Sequence, residues 1–588
     1  MQEALRSPMA IFAAFVMAIL TLRVLWRLLW SSRPAEPSKP VQPRHAGPVQ
    51  YFQPGRIVLH VEHPRDVDKG KLAAIVGSFI KHHGQNQIKP ELKVLTFPLK
   101  PKDLGGLVFS LVFAETISTE QKTLVQLLKD LYKLIQEQGE PIQKKGGPEE
   151  KHFRISDDPL VFVRSASPNW LIGGAHHQPG TGGPGTWPIG VRSSDREADP
   201  STHAHKFTFR FLTGSSLESA CESANAGDGV YVAILDTAPS QSDLITAYHE
   251  RHGSHPLIDQ LLGPNGPTPP LHVHRATAAD YLLLMEYSLS GHRYRMPDHG
   301  LFIAGIIHTI APSAELHLYE VLGPYGIGML ETIAPSALRA LQDAQAAQKP
   351  LIINCSFTLT VPLDPRHNAP DWDVNISDGL LGFTTISFRT LMETLTQNSE
   401  GGAQEAIVVA AAGNDATRSA GDPNPNNRPD ARYPAAFDGV VGVGALPIEG
   451  SNGQFPKVRG ADGTDRYDTA LYSNFSDDPT RIGFVTLGGE DGPGKGVLGI
   501  YISDIPVSAD PNDPINVQYG INESGWAWWA GTSFAAPIIS GILAAGLSSS
   551  SSPALRSQLL ARPESVLVTN ADPVKTISNE DVINVIQG

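Results

Sequence analysis

Short, continuously apolar runs alternate with amphipathic stretches along the last two thirds of the chain. An apolar run without polar alternation is typical of a parallel strand buried on both faces, and the stretches between the runs have helical spacing. The sequence therefore predicts an α/β domain over residues 206–588, a parallel sheet with helices on both faces. Its five predicted strands are residues 229–235, 315–321, 350–356, 406–412 and 439–445.

Residues 51–170 follow a different pattern. The predicted order is strand, helix, strand, strand, helix, strand, and the second helix is expected to begin at Ser118. That order is typical of a small ferredoxin-like α+β domain. A Gly-rich linker over residues 171–205 separates it from the larger domain.

The amino terminus is read separately because residues 9–30 form an apolar run interrupted by Arg23 and Arg27. A membrane-spanning helix needs about 20 apolar residues, and a cleaved signal would be followed by small residues rather than arginines. We therefore predict an uncleaved single-pass membrane anchor over residues 1–30, followed by a Pro-rich linker over residues 31–50. A helix lying on the membrane surface and a misassigned start remain alternatives, and the side of the membrane is open.

Composition narrows the classes of function. The chain has 588 residues with 46 Lys and Arg against 60 Asp and Glu, a net charge of −14. Such an acidic balance argues against a nucleic-acid partner, which would require a basic surface. The two cysteines, Cys221 and Cys355, are too few for a disulfide framework or a cysteine-based zinc site, and a single bridge between them remains open.

Side chains that could take part in catalysis lie at the ends of predicted strands and at the starts of predicted helices in the α/β domain. Asp236 ends one predicted strand, Asn414 follows another, and His299 begins an apolar helix. The carboxyl ends of parallel strands meet at one sheet edge, although a lone Asp there is more often a turn former. Ser533 opens a further helix, whose amino end offers free N–H donors for an oxyanion. Histidine pairs such as His272 and His274 are expected on solvated loops, and we assign no metal ligand.

The order Asp236, His299, Ser533 differs from that of chymotrypsin-like enzymes and of α/β-hydrolases. The segment Gly531-Thr532-Ser533-Phe534-Ala535-Ala536-Pro537 is close to a known nucleophile signature. Residues 228 to about 550 accordingly resemble the catalytic domain of a subtilase, the subtilisin-like serine peptidase family.

The resemblance implies a serine endopeptidase that hydrolyses polypeptides through an acyl-enzyme. It makes Ser533 the nucleophile, His299 the general base and then acid, and Asp236 the carboxylate that orients the imidazole. It makes Asn414 the side-chain donor of the oxyanion hole. The substrate-binding residues it implies are Ser356, Phe357 and Thr358 on one side of the first specificity pocket, Ala411, Ala412 and Gly413 opposite them, and Gly323 in the segment that pairs with the substrate.

The chain also departs from the family pattern. Ala238 stands where Gly is usual after the aspartate, Asp298 precedes the histidine in place of Gly, and Leu301-Phe302 replace Thr-His after it. Thr358 replaces a pocket Gly. A catalytically silent peptide-binding protein with the same groove is therefore the alternative function.

The resemblance further implies that residues 51–170 act as a pro-domain, an intramolecular inhibitor and folding chaperone of the larger domain. An unrelated partner-binding module is the alternative for this region. Autocleavage is expected within residues 172–205. No cofactor is required, and structural calcium is left open, with oxygen ligands available in the acidic loop 421–430.

Overall fold

The computed structural model describes most of the chain beyond residue 51, within the compact unit Val49–Gly588. The predicted anchor and the Pro-rich linker lie outside the described residues, as do most of the Gly-rich linker and most of loop 421–430. Among the residues that the structure describes, no helix combines the length and apolar character needed to cross a membrane. The described residues are 52–83, 88–97, 107–118, 120–142, 150–174, 187–191, 207–210, 214–263, 271–277, 295–359, 378–396, 406–416, 428–447, 457–459, 463–476, 483–490, 492, 494–510, 513–571, 575–576 and 580–587.

The first part of the unit is an antiparallel sheet with two helices. Its strands lie in the order β2-β3-β1-β6-β5-β4. The hairpin β4–β5 was not predicted from the sequence, and helix α2 begins at Gln121 rather than Ser118, whose hydroxyl accepts from Glu120 N instead. The elements are β1 (Phe52–Pro64), α1 (Lys69–His83), β2 (Ile88–Phe97), β3 (Leu107–Thr116), α2 (Gln121–Gln138), β4 (Glu140–Ile142), β5 (Glu150–Asp157) and β6 (Leu160–Gly174).

The rest of the unit is built on a second sheet of eight strands, all paired in parallel in the order β10-β11-β9-β13-β15-β16-β19-β24. The elements as far as the middle of this sheet are β7 (Ile189–Gly190), β8 (Phe207–Phe209), α3 (Ser216–Cys221), β9 (Tyr231–Asp236), α4 (Gln241–Arg251), α5 (Pro256–Leu262), β10 (Leu271–His274), α6 (His299–Ile310), β11 (Glu315–Glu320), β12 (Ile327–Met329), α7 (Leu330–Ala346), β13 (Leu351–Cys355) and β14 (Phe357–Leu359). Those that follow are α8 (Asp378–Thr396), β15 (Ala406–Ala411), β16 (Val440–Leu446), β17 (Lys457–Arg459), β18 (Asp465–Tyr467), β19 (Phe484–Leu487), β20 (Val497–Ile500), β21 (Ile505–Asp510), β22 (Asp513–Gly520), β23 (Trp526–Trp529), α9 (Thr532–Leu547), α10 (Pro553–Ala561), α11 (Pro563–Asn570), β24 (Asp581–Val582) and β25 (Val585–Gln587).

All five strands predicted for the parallel sheet are present, and the short strands β10, β19 and β24 were not predicted. The expectation that His272 and His274 lie on a solvated loop is wrong, because both belong to the edge strand β10. Cys221 and Cys355 are both free thiols, so no disulfide joins them.

The two sheets share one apolar core. Buried residues of β1 and β6, such as Leu59 and Trp170, belong to the same packed cluster as Leu341 of α7 and Phe388 of α8. The indole Nε1 of Trp170 donates to Thr384 O at 3.0 Å. The amino-terminal sheet therefore covers the α7 and α8 side of the parallel sheet.

Candidate active site

The carboxyl ends of the central strands bring the predicted aspartate and histidine together. Asp236 is the last residue of β9, His299 is the first residue of α6, and both are fully buried. His299 Nδ1 lies 2.7 Å from Asp236 Oδ1, which also accepts from Thr237 N at 2.7 Å. Because a carboxylate only accepts, Nδ1 carries the proton of the neutral ring and Nε2 is left as the basic nitrogen.

Close packing fixes the start of α6 against β9. A Cβ on Gly300 would lie 2.3 Å from Thr237 O, so only glycine fits at this position. The imidazole of His299 meets Trp529 and Phe534 edge-on, with ring centroids 5.2 and 5.4 Å away. Phe302 packs against the same two rings. Phe302, one of the two residues that replace Thr-His, therefore completes an aromatic cluster beside the histidine.

Ser533 lies in the first turn of α9 and is fully buried. Its hydroxyl donates to Ser356 O at 3.2 Å, and the Ser356 hydroxyl donates back to Ser533 O at 2.8 Å. Asn354 Nδ2 donates to Ser356 Oγ at 2.9 Å. This ladder ties the start of α9 to the end of β13.

Asn414 is oriented by Thr532, a residue whose role the sequence analysis missed. Asn414 Oδ1 accepts from both the backbone N and the Oγ1 of Thr532, at 3.0 and 2.9 Å. Thr532 Oγ1 in turn accepts from Gly413 N at 3.2 Å. With its oxygen held in this way, the amide of Asn414 presents Nδ2 as the remaining donor.

The neighbouring carboxylate is occupied by other partners. Both oxygens of Asp415 accept from Arg432, and Asn474 Nδ2 donates to Oδ2 at 2.7 Å. Asn474 Oδ1 accepts from Asp415 N at 2.8 Å. Asp415 therefore braces the loop after β15, and a carboxylate that only accepts hydrogen bonds is not an oxyanion donor.

The predicted pocket residues lie at the ends of two strands. Phe357 and Thr358 belong to the buried strand β14, and Ala411 is the last residue of β15. Ala412 is buried beside it, and Gly413 has φ 109°, a conformation that favours glycine. Gly323 lies in the turn before β12, where its N donates to Ile327 O at 2.7 Å.

The space between β12 and β14 is filled by the end of β6. Residues 171–173 pair antiparallel with β12 on one side, for example Gly173 with Ile327. Residues 172–174 pair with β14 on the other side, where Thr358 lies opposite Gly173 and Phe357 opposite Gly174. The amino-terminal sheet therefore places an extended strand between β14, which holds two of the predicted pocket residues, and β12, which follows the predicted substrate-pairing segment.

Asp298 anchors α6 to the segment after β20. It is fully buried, and its Oδ2 accepts from Ile502 N and Ser503 N, both at 2.6 Å, while Oδ1 accepts from Ser503 Oγ at 2.8 Å. Burial raises the pKa of this carboxyl to about 6, against the effect of these hydrogen bonds. The sequence identified Asp298 only as a departure from the family pattern.

Comparisons with known proteins identify the family of the chain. Residues 227–576 match the Peptidase S8 model of the subtilase family. The chain is 30% identical over 126 residues to "Minor extracellular protease Vpr" of Bacillus subtilis (strain 168), a match that covers 19% of this chain and 14% of that relative. A solved structure titled "S41 Psychrophilic Protease" matches with 18% identity and a TM-score of 0.32, over 63% of this chain and 94% of that one. The family match spans more than half of the residues, so the chain belongs to the subtilase family of serine-type peptidases.

Proposed function

We propose that the chain is a serine endopeptidase that hydrolyses peptide bonds through an acyl-enzyme. The observation that carries the proposal is the buried contact between Asp236 and His299, with Ser533 and Asn414 at the same edge of the sheet. A serine hydroxyl is a weak nucleophile at neutral pH and needs an adjacent base. Asp236 keeps His299 in the tautomer that leaves Nε2 ready to take that proton.

The proposed reaction has two steps at Ser533. Ser533 Oγ attacks the peptide carbonyl as His299 Nε2 takes its proton, and the negative oxygen of the tetrahedral intermediate accepts from Asn414 Nδ2. His299 then gives the proton to the leaving amine, and water hydrolyses the acyl-enzyme by the same route. The Ser533 hydroxyl, which donates to Ser356 O, turns toward His299 when substrate displaces β6 from the groove.

The test is hydrolysis of an unfolded protein substrate by the full chain and by its Ser533→Ala variant. We expect new amino termini to appear with the parent and none with the variant. Cleavage at an equal rate by both would overturn the proposal, and binding of peptides without cleavage by the parent would establish the silent alternative.

We also propose that residues 51–170 form a ferredoxin-like domain that inhibits the site in the same molecule. Two observations support this function. The order β2-β3-β1-β6 is that of a ferredoxin-like sheet, and the end of β6 pairs with both β12 and β14. Both strands bind backbone through hydrogen bonds, as in strand addition by a peptide.

Charge pairs across the covered face hold the inhibitor in place. Glu331 of α7 is 2% exposed and binds Arg56 at 2.6 Å and Lys93 at 2.9 Å, both from the amino-terminal sheet. Arg389 of α8 binds Glu150 of β5. Arg56 keeps a second partner in Glu115, and Lys93 is 42% exposed, so loss of the Glu331 charge should cost less than the roughly 3–5 kcal/mol of a fully buried pair.

Glu331→Gln therefore tests the inhibitory contact. We expect turnover of a short peptide to rise more than about tenfold, since weaker docking exposes the groove more often. Glu137→Gln, which changes an exposed pair with Lys133 on α2, is the matched control and should leave the rate unchanged. If folded Glu331→Gln and Glu137→Gln hydrolyse the peptide at the same rate, the proposed inhibitory role of residues 51–170 is contradicted.

We further propose that residues 9–30 anchor the protein to a membrane. Deletion of this segment should move the protein to the soluble fraction. Carbonate-resistant membrane association that survives the deletion would contradict the assignment.

A further inference from the structure

Three histidines and a glutamate lie on one face of the parallel sheet, at its β10 edge. His272 of β10 and His317 of β11 are direct partners in the parallel register. Glu315 precedes His317 by two positions on β11, and His274 follows His272 by two positions on β10. Because side chains alternate along a strand, all four point to the same side of the sheet.

The four side chains form one contiguous cluster. One ligand atom each from His272, Glu315 and His317 lies within 4.8 Å of the other two. His317 Nε2 lies at a hydrogen-bond distance of 2.9 Å from Glu315 Oε1, so both atoms can reach one ion after a small outward shift. His317 Nδ1 lies 2.9 Å from His274 Nε2.

Stacked rings hold His317 in place while leaving one side of the cluster accessible. The ring of Tyr231 lies on His317 at 3.8 Å with an interplanar angle of 8°, and the ring of His272 stacks on it at 4.7 Å. His317 is 7% exposed, whereas His272 and Glu315 are half-buried. His272 is therefore the less enclosed of the two imidazoles.

Burial keeps the imidazoles of His274 and His317 neutral. Burial is the largest cause that lowers the pKa of His317, and it lowers that of His274 to about 4. Lys349 binds the second oxygen of Glu315. The charge of Arg339 lowers the pKa of His274, and the charge of Asp343 raises it. Neutral imidazole is the form that binds metal, so no proton has to be driven off the ring at neutral pH.

We propose that His272, Glu315 and His317 bind one Zn²⁺ ion, or another borderline divalent metal, with water completing the site. Two imidazoles and a carboxylate are a ligand set that Zn²⁺ prefers. When His317 Nε2 binds the metal, the neutral His317 ring carries its proton on Nδ1 and donates it to His274 Nε2. His274 then carries its own proton on Nδ1 and orients the ligand. The ion would fasten the edge strand β10 to β11.

The test is zinc titration of the metal-free full chain at neutral pH, followed by calorimetry and thermal unfolding. The Ser533→Ala background prevents self-digestion. We expect one His272-dependent Zn²⁺ per chain and a melting temperature that rises with zinc. His272→Ala should weaken this binding at least about tenfold and abolish the shift in melting temperature.

Two further variants keep the test decisive. Glu315→Gln should also weaken binding, and His272, being partly exposed, can be replaced without the folding risk of the buried His317. His82→Ala is the matched control, because His82 and His83 are neighbouring rings on α1, 4.8 Å apart, outside the cluster. Zinc uptake that is unchanged by His272→Ala, or reduced equally by His82→Ala, would overturn the proposal, as would no uptake by the parent.

Discussion

His299 Nδ1 lies 2.7 Å from Asp236 Oδ1 in an environment where neither side chain is exposed. Thr237 N donates to the same oxygen, so the carboxylate is held on two sides. The contact fixes both the ring orientation and the tautomer of His299. An imidazole without this partner would equally well place its proton on Nε2, the nitrogen proposed to act as the base.

Asp236→Asn should preserve the fold and nearly abolish turnover. An amide donor opposite Nδ1 favours the wrong tautomer of His299, and we expect kcat to fall by roughly 10⁴-fold. The measurement is peptide hydrolysis with thermal unfolding as the check on folding. A variant of parental stability that keeps more than a tenth of the parental kcat would contradict the assigned role.

Asn414→Ala should lower kcat by roughly 10²–10³-fold and leave KM nearly unchanged, since the amide donates to the oxyanion and little to the ground-state carbonyl. Asp415 cannot take over because Arg432 and Asn474 occupy it. Active-site titration corrects the rates for misfolded protein. Loss of an oxyanion donor should lower kcat by far more than about threefold. A corrected kcat within about threefold of the parent would therefore show that Asn414 has no role in the mechanism.

Thr532→Val tests whether the orientation of Asn414 matters. It removes one of the two donors to Asn414 Oδ1, so we expect about a tenfold loss in kcat, the value of one hydrogen bond. Thr569→Val is the control, because that hydroxyl bonds only within its own helix, to Ser565 O. If both variants turn over at the parental rate, the Thr532 contact does not position the amide.

The central strands and the contact between Asp236 and His299 could be predicted from the sequence because their signals are local. A continuous apolar run identifies β9 and ends at Asp236, and the segment around Ser533 is specific over its whole length. The same applies to Asn414 after β15. Each of these signals is contained in fewer than about ten consecutive residues.

The remaining features depend on contacts between distant segments. No rule of sequence spacing connects the residues that make these contacts. Examples are the hydrogen bond from Thr532 to Asn414, the hydrogen bond from Ser503 to Asp298, and the strand pairing of Gly173 with Thr358. His272 gave no signal because β10 is only four residues long. A strand that short is a weak pattern without its partner β11.

Asp298 gives a prediction for stability. Asp298→Ala leaves two buried N–H groups, of Ile502 and Ser503, without their acceptor, and should cost about 1–3 kcal/mol in the free energy of unfolding. Asp298→Asn should recover most of that loss, since its oxygen accepts from both N–H groups and its amide donates to Ser503 Oγ. Chemical denaturation of the two variants measures the difference, and equal losses would contradict this account.

The raised pKa of Asp298 determines how the stability of the protein should change with pH. Burial raises the pKa of the Asp298 carboxyl to about 6 from the usual 3.8, so between these values the folded protein binds the proton more tightly than the unfolded chain. Stability of the parent relative to Asp298→Asn should therefore rise as the pH falls from about 6 toward 3.8. Denaturation across this range checks the sign, and a flat or opposite difference would contradict it.

The register of β6 predicts where the chain processes itself. Phe357 lies opposite Gly174, so continuation of the antiparallel register leads toward Ser356, whose carbonyl accepts from Ser533. We expect cleavage shortly beyond Gly174, with a new amino terminus between residues 175 and 186. Amino-terminal sequencing of the parent checks this, and Ser533→Ala should accumulate as full-length protein. Identical processing of the variant in isolation would contradict self-cleavage.

The most direct test of the whole account is the site at which a fluorophosphonate probe reacts with the processed protein, because such a probe bonds covalently only to an activated serine. Peptide mapping by mass spectrometry should find one adduct, on Ser533, and no adduct in folded Ser533→Ala protein. Asp236→Asn should react far more slowly than the parent. A folded, processed parent that takes up no probe, or an adduct that persists in Ser533→Ala, would contradict the assignment of this chain as a working serine peptidase.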